Sequence, residues 1–156
     1  MSKAFTSEET AEPEPIARPR APLPEGVPNY VTARGYALLC AELDALPSKP
    51  GDAELARRRA DLEQRIASAE LVAVPLESGG VVRFGATVRV EDASGSRSYR
   101  IVGVDEADPA RGTIAFVSPL ARALLGRRAG DTVLFRAPGG EQELEIAAVE
   151  YGADPD

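Results

Sequence analysis

The chain has 156 residues, with 18 basic and 25 acidic side chains, no histidine and a single cysteine, Cys40. This length fits one domain of ordinary size, or one small domain with an appendage, and excludes a large multidomain enzyme. The missing histidines and the lone cysteine exclude a Ser-His-Asp triad, a Cys-His dyad, a disulfide and a structural zinc site, while the net charge of −7 opposes nonspecific binding to duplex nucleic acid or anionic lipid.

Residues 1–28 are rich in proline and poor in large apolar side chains. They contain six of the 13 prolines of the chain: Pro13, Pro15, Pro19, Pro22, Pro24 and Pro28. Such a composition cannot offset the entropy lost when the backbone is ordered. We therefore predict a disordered Pro-rich tail over residues 1–28, either a passive extension or a recognition segment.

A first amphipathic helix is predicted over residues 32–46. Thr32 is a good N-cap, and apolar side chains follow at spacings of three and four, which places them on one helix face. They are Tyr36, Leu39, Cys40, Leu43 and Leu46. A turn follows, because Pro47 and Pro50 lack the amide donor that a helix needs and Gly51 tolerates turn dihedrals.

A second helix is predicted to begin after Asp52, which supplies its N-cap. Its apolar seam consists of Leu55, Leu62, Ile66, Ala69 and Ala73, and Glu54/Arg58 and Asp61/Arg65 are spaced as i,i+4 ion pairs. Two short helices joined by a tight loop predict an antiparallel helical hairpin over residues 29–74. The run Arg57–Arg59 is either a solvated helix face or a contact surface for an acidic or nucleic-acid partner.

From residue 75 onward the hydrophobic period becomes two, which is typical of β-strands. The predicted strands are 82–84 with 87–90, 98–104, 112–116, 132–135 and 144–149. Ser118 and Pro119 can open one short helix over residues 120–125 that ends at Gly126. The predicted fold class is α+β: a short antiparallel helical hairpin, followed over residues 75–156 by an antiparallel sheet domain with one short helix.

The second half of the chain resembles the C-terminal domain of the Gre factors (GreA and GreB), which are bacterial transcript-cleavage factors. The segments that carry the resemblance, in the family's order, are 99–108, 112–114, 118–126, 130–131, 138–140 and 146–151. Residues 30–36, with Leu39, Glu42 and Leu43, resemble the opening of the family's N-terminal coiled coil. The sequence is therefore identified as a member of the Gre family.

This resemblance implies an FKBP-like domain that binds bacterial RNA polymerase and a coiled coil that enters its secondary channel. In the family, two carboxylates at the coil tip help to hold a Mg²⁺ ion and a water in the polymerase active site, so that the polymerase itself hydrolyses backtracked RNA. The candidate docking residues are Ser118, Pro119 and Arg122. Ser118 and Pro119 are equally well explained as a helix start.

The predicted tip departs from the family pattern, because its carboxylates Asp52 and Glu54 are two residues apart. On a regular helix of about 3.6 residues per turn, such side chains diverge by about 200°. A plain N-cap and a first-turn acid explain both residues. The first helix spans about 22 Å, whereas the family's coil is about twice as long. The truncated coiled coil is similar to that of a non-cleaving relative such as Rnk.

Three functions are consistent with these sequence features. The first is a regulator that binds the polymerase without strong cleavage activity, and the second is a factor that stimulates transcript cleavage through Asp52 and Glu54. The third is a peptidyl-prolyl isomerase, for which the domain offers few aromatic side chains. We expect a cytoplasmic monomer with no intrinsic metal or cofactor and no membrane span, which contacts nucleic acid only through the polymerase and shares its Mg²⁺.

Overall fold

A computed structural model describes residues 23–74 and 79–152. Most of the predicted Pro-rich tail, residues 1–22, lies outside the described residues. Residues 23–28 contain a turn at Glu25 and Gly26, in which the Val27 amide donates to the Pro24 carbonyl over 3.2 Å. No helix in the described ranges is long and apolar enough to cross a membrane.

The described residues form three α-helices, one short 3-10 helix and seven strands. The helices are α1 (Ala33–Ala45), α2 (Ala53–Ser68) and α3 (Pro119–Leu124), and the 3-10 helix is Pro109–Arg111. The strands are β1 (Asn29–Val31), β2 (Ala69–Leu71), β3 (Thr87–Asp92), β4 (Gly95–Val102), β5 (Thr113–Ala115), β6 (Thr132–Ala137) and β7 (Gly140–Glu150).

Both predicted helix starts are confirmed. The Thr32 hydroxyl accepts the Gly35 amide over 2.9 Å at the start of α1, and the Asp52 carboxylate caps α2. These side chains satisfy amide groups that have no partner inside the helix. We call residues 29–71 the helix pair; they comprise α1, α2, their linker and the flanking strands β1 and β2. Its core contains the buried Val31, Leu39 and Leu62, with the half-buried Leu43, Leu46, Ile66 and Ala69 packed against them.

The predicted seam of the second helix is wrong at Ala69 and Ala73. Helix α2 ends at Ser68, and Ala69 begins β2, which pairs in parallel with β1 in a separate two-stranded sheet. The Asn29 side chain ties the two ends together, since its Nδ2 donates to the Arg65 carbonyl over 3.0 Å. Tertiary pairing therefore overrides the helical preference of the alanines.

The main sheet has five strands in the order β5-β4-β3-β7-β6. Strand β3 is antiparallel to β4 and β7, and β6 is antiparallel to β7, but β5 is parallel to β4. The prediction of a wholly antiparallel sheet is therefore wrong at β5, because residues 103–112 carry the chain back before it pairs. Residues 82–84 form no strand; Val81 makes an isolated bridge to Arg128.

Helix α3 covers one face of the main sheet and confirms the predicted short helix. The Ser118 hydroxyl accepts the Ala121 amide over 3.2 Å, and Gly126 follows the helix with a φ of 84°. Ala121 and Leu124 are fully buried against the sheet core. The buried members of this core are Val82, Ala86, Val88, Val90, Ile101, Ala121, Leu124, Val133, Leu144 and Ile146.

Candidate functional site

At the tip of the helix pair, residues 47–54, side chains form hydrogen bonds with backbone groups. Asp52 Oδ1 accepts hydrogen bonds from the amides of Glu54 and Leu55, each over 3.1 Å. On the opposite side, Arg59 Nη2 donates to the Pro47 carbonyl over 3.3 Å. One arginine of the 57–59 run therefore holds the linker, while Arg57 is exposed.

The two tip carboxylates lie at the same helix start but have different surroundings. Asp52 precedes α2 and caps it, whereas Glu54 belongs to the first turn, where the helix dipole favours a negative charge. Both residues are exposed. Within residues 23–74 and 79–152, no group of three or more Asp, Glu or Cys side chains is placed to hold a metal ion. The tip can supply single carboxylates but not a preformed metal site.

The three candidate docking residues lie together at α3, but with different roles. Ser118 is half-buried and its hydroxyl is used as the helix cap, so its role in the fold is established. Pro119 and Arg122 are exposed, while Ala121 and Leu124 of the same helix face the core. Helix α3 therefore presents Pro119 and Arg122 to the surface on a rigid support.

Exposed arginines next to α3 escaped the sequence interpretation. The backbone of residues 126–128 lies against that of residues 81–83, since the Val82 amide donates to the Arg127 carbonyl over 2.8 Å. Arg83, Arg127 and Arg128 are exposed in these segments. Arginines directly after the helix-ending Gly126 were the available signal. In a chain of net charge −7, these residues place three positive charges at one end of the sheet domain, where the Asp131 carboxylate accepts the Arg128 amide over 2.8 Å.

A polar junction joins the helix pair to the sheet domain. Glu106, with a side chain only 2% exposed, accepts a hydrogen bond from the Thr32 hydroxyl over 2.5 Å, and its Oε2 lies 3.6 Å from Arg34 Nη1. The preceding Asp105 pairs with Arg65 of α2 over 3.4 Å. Both acids lie within residues 99–108, a segment that resembles the Gre family but by itself indicates no role for them. Two consecutive acids in the short turn that follows the buried end of β4 were the signal available in the sequence.

Apolar contacts complete the junction. The rings of Tyr30, Phe84 and Phe116 lie with their centroids 5.4 to 6.1 Å apart, in tilted and edge-on arrangements that aromatic pairs prefer. A Cβ atom on Gly103 would come within 2.5 Å of the Tyr30 carbonyl oxygen. The absence of a side chain at Gly103 therefore lets β1 approach the end of β4.

A small hollow opens between α3 and the main sheet. Tyr99 and Phe135 are the two aromatic side chains that line it, together with the charged Asp92 and Arg97. Hydrogen bonds from the Ser94 hydroxyl and amide, each over 2.7 Å, lower the pKa of Asp92. Because Phe84 and Phe116 are used at the junction, the hollow lacks the aromatic lining of a proline-binding pocket.

Comparison with known proteins places the sequence in a family. The family described as "Transcription elongation factor, GreA/GreB, C-term" matches residues 77–151. The chain is also 45% identical over 130 residues to the transcription elongation factor GreA of Anaeromyxobacter sp. (strain K), covering 82% of this chain and 78% of that protein. The chain belongs to the Gre family.

Other Gre relatives align over nearly the whole chain. The transcription elongation factor GreA of Rhodopseudomonas palustris (strain TIE-1) is 36% identical over 150 residues, which cover 95% of this chain and 92% of that protein. Among solved structures, GreA/GreB from Nitrosomonas europaea matches with 27% identity and a TM-score of 0.44. The match covers 80% of this chain and 99% of that protein. GreA factor homolog 1 (Gfh1) of Thermus thermophilus matches with 23% identity and a TM-score of 0.42, over 78% of this chain and 97% of that protein.

Proposed function

We propose that this Gre-type elongation factor binds bacterial RNA polymerase through its FKBP-like sheet domain, near the entrance of the secondary channel. The helix pair, a shortened coiled coil, then partly occludes that entrance and modulates elongation without strong cleavage activity. Membership of the Gre family supports the polymerase as the partner. The protein is a cytoplasmic regulator that catalyses no reaction by itself.

The observation that carries this proposal is the state of the tip. Asp52 Oδ1 accepts hydrogen bonds from two amides of α2, and Glu54 is the one acidic residue in the first turn of that helix. Two-metal phosphoryl chemistry requires carboxylates that converge on one ion. With 13 residues, α1 extends about 20 Å at about 1.5 Å per residue. A short helix pair with a capped tip fits occlusion better than delivery of metal ligands.

Docking is assigned to the exposed side of α3. Pro119 and Arg122 supply a rigid apolar contact and a charge, and the neighbouring Arg83 and Arg127 extend the basic surface. Such a surface favours an acidic patch on the polymerase and speeds the encounter by electrostatic steering. Nucleic acid is reached only through the polymerase, in keeping with the net charge of −7.

Stimulated transcript cleavage is the second candidate function. It is favoured by the exposure of Asp52 and Glu54 at the far end of the helix pair, where both carboxylates are accessible to a Mg²⁺ ion held by the polymerase. The chain would then act as a cofactor for the polymerase's own hydrolysis. The hollow beside α3, with two aromatic side chains, gives no support to an isomerase activity.

A cleavage assay on backtracked polymerase complexes separates the two candidates. We compare the native protein with Asp52→Asn and Glu54→Gln, because asparagine preserves the helix cap while removing the charge. Asp61→Asn, at another exposed acid of α2, is the matched control. We expect binding, slower elongation and no shortened RNA with any of these proteins. Shortened RNA that disappears in Asp52→Asn and Glu54→Gln but persists in Asp61→Asn would establish the cleavage factor instead.

Measurements of polymerase affinity at several salt concentrations test the docking surface. Arg122→Ala and Arg127→Ala should weaken polymerase binding, and the loss should shrink as salt is raised, because the screening of exposed charges increases with ionic strength. Arg136→Ala is the matched control, since Arg136 lies on β6 with a side chain that is 88% exposed and is not among the candidate docking residues. Equal affinities for all three variants would refute docking through α3.

A further inference from the structure

Two consecutive carboxylates of the sheet domain contact different helices of the helix pair. Glu106 contacts the start of α1, and Asp105 contacts the last turn of α2. We propose that Asp105 and Glu106 are positioning residues that set the direction in which the helix pair leaves the sheet domain, and that the effect on elongation requires this direction. The second part of this inference rests on the proposed function.

The contact at α1 is buried and uses the helix cap itself. Thr32 is 2% exposed, and its hydroxyl accepts the Gly35 amide while it donates to Glu106 Oε1. The same hydroxyl therefore begins α1 and anchors it to the sheet domain. Because a buried polar group is costly to leave without a partner, withdrawal of Glu106 also weakens the helix start.

The space for this carboxylate is provided by a glycine. A Cβ atom at position 35 would lie 2.7 Å from Glu106 Oε1, closer than real contacts allow. Gly35 lies in the first turn of α1, and within helices glycine is normally less favourable than alanine. The helix therefore carries a local disadvantage at Gly35 that leaves room for the Glu106 contact.

The contact at α2 is a shielded ion pair. The side chains of Arg65 and Asp105 are 12% and 6% exposed, so solvent and salt screen them less than a surface pair. The Arg136–Glu141 pair, with side chains 88% and 60% exposed, provides the contrast within the same molecule. Ion pairs of that exposed kind contribute little to stability.

Two anchoring points on different helices fix rotation as well as position. If only one helix were held, the contacts of Tyr30 at the base would remain, and the helix pair could tilt about them. A pivot of about 20° would move the tip by about 7 Å, given a lever of about 20 Å from about 13 residues at 1.5 Å each. A displacement of that size exceeds the diameter of a water molecule and would change what the helix pair covers.

Distance measurements on the full chain test the positioning directly. In a Cys40→Ser background, spin labels are attached through Ser48→Cys at the tip and Ser96→Cys on β4, both exposed positions. We expect one narrow distance distribution for this labelled chain and a broadened or shifted one for Glu106→Ala and Asp105→Ala, which remove the acceptor oxygens as well as the charges. Glu141→Ala, at the exposed pair, is the matched control and should stay narrow. Unchanged distributions in both junction variants would overturn the proposal.

A second readout separates positioning from simple loss of structure. The variants should bind polymerase with unchanged affinity through the sheet domain, while their effect on elongation falls by about fivefold or more, the size of a typical coupling between sites. Altered distances with a full effect on elongation would overturn the requirement for direction. Failure of the unaltered protein to affect elongation would instead refute the proposed function and leave the distance result standing.

A double-mutant cycle tests the contact with Gly35. Gly35→Ala should broaden the distances, because its methyl group displaces the Glu106 carboxylate. In a Glu106→Ala chain the same change should add nothing, since the atom that it meets is already absent. Equal effects of Gly35→Ala in both backgrounds would show that Gly35 acts elsewhere and would contradict the geometry proposed for α1.

Discussion

The sheet domain and the helix pair differ sharply in how much they bury. Among the described residues, the apolar core of the sheet domain contains ten buried side chains, whereas that of the helix pair contains three, Val31, Leu39 and Leu62. A cluster of three side chains cannot offset the entropy of ordering two helices. The difference teaches that the helix pair depends on its junction with the sheet domain for its order as well as for its direction.

The same leucine-to-alanine change in the two cores sharpens this comparison. Leu124→Ala, at a fully buried position under α3, should lower the free energy of unfolding by about 3 to 5 kcal/mol. The continuous core cannot collapse around the missing side chain, so the whole chain should unfold at lower denaturant. Equilibrium denaturation with circular dichroism measures the shift. A loss below about 1 kcal/mol would break the comparison, because it would mean that the sheet core is loosely packed.

Leu62→Ala, at a 2% exposed position of α2, should cost less, about 2 to 3 kcal/mol, since its small cluster can partly close. The effect should also be local. In hydrogen exchange, we expect the amides of α1 and α2 to lose protection while those of β3 and β7 retain it. Equal loss of protection in all four elements would show that the two regions unfold as one unit.

Tyr151→Phe tests a tether within the sheet domain. The Tyr151 hydroxyl donates to the Val81 carbonyl over 2.6 Å and accepts the Arg83 amide over 2.8 Å. Its loss should cost about 1 to 2 kcal/mol. Thermal melts of both proteins measure the difference, and an unchanged melting temperature would show that water replaces both bonds.

The same residue predicts a pH dependence. Burial raises the pKa of the Tyr151 phenol above its ordinary value of 10.0. The unfolded chain therefore ionises first as the pH rises, so this contribution to stability is complete below pH 10 and is lost above it. The Phe variant should lose less stability between neutral and strongly alkaline pH than the native chain. If the stability of the two proteins fell equally with rising pH, the raised pKa of Tyr151 would not be the cause of the loss.

The smallest expected effect is at the tip. Asp52→Ala removes the cap of α2 and should cost about 1 kcal/mol, whereas Asp52→Asn should be nearly neutral because asparagine caps as well as aspartate. Denaturation curves of the two variants test this directly. If both lose stability equally, the charge of Asp52 rather than its cap stabilises the helix pair.

Local signals in the sequence predicted the starts of α1 and α2 and the short helix α3. Thr32, Asp52 and Ser118 are caps that act within three residues, so their effect is visible without the fold. The resemblance to the Gre family was confirmed by its match over residues 77–151. The roles assigned to Pro119 and Arg122 in docking remain predictions.

Long-range contacts could not be predicted in the same way. The strands β1 and β2 have three residues each and pair across about 40 positions of sequence, too short for a period of two to be recognised. The parallel pairing of β5 has the same cause. The partner of Glu106 is 74 residues away, so an acid inside a motif gave no indication of what it holds.

The parallel pairing of Asn29–Val31 with Ala69–Leu71 places the first and last residues of the helix pair side by side. A segment whose two ends meet can be lengthened or shortened by matched turns without moving anything at its base. The reach of the helices is thereby independent of how the rest of the molecule folds. In this architecture, helices of different length can therefore extend from the same paired base.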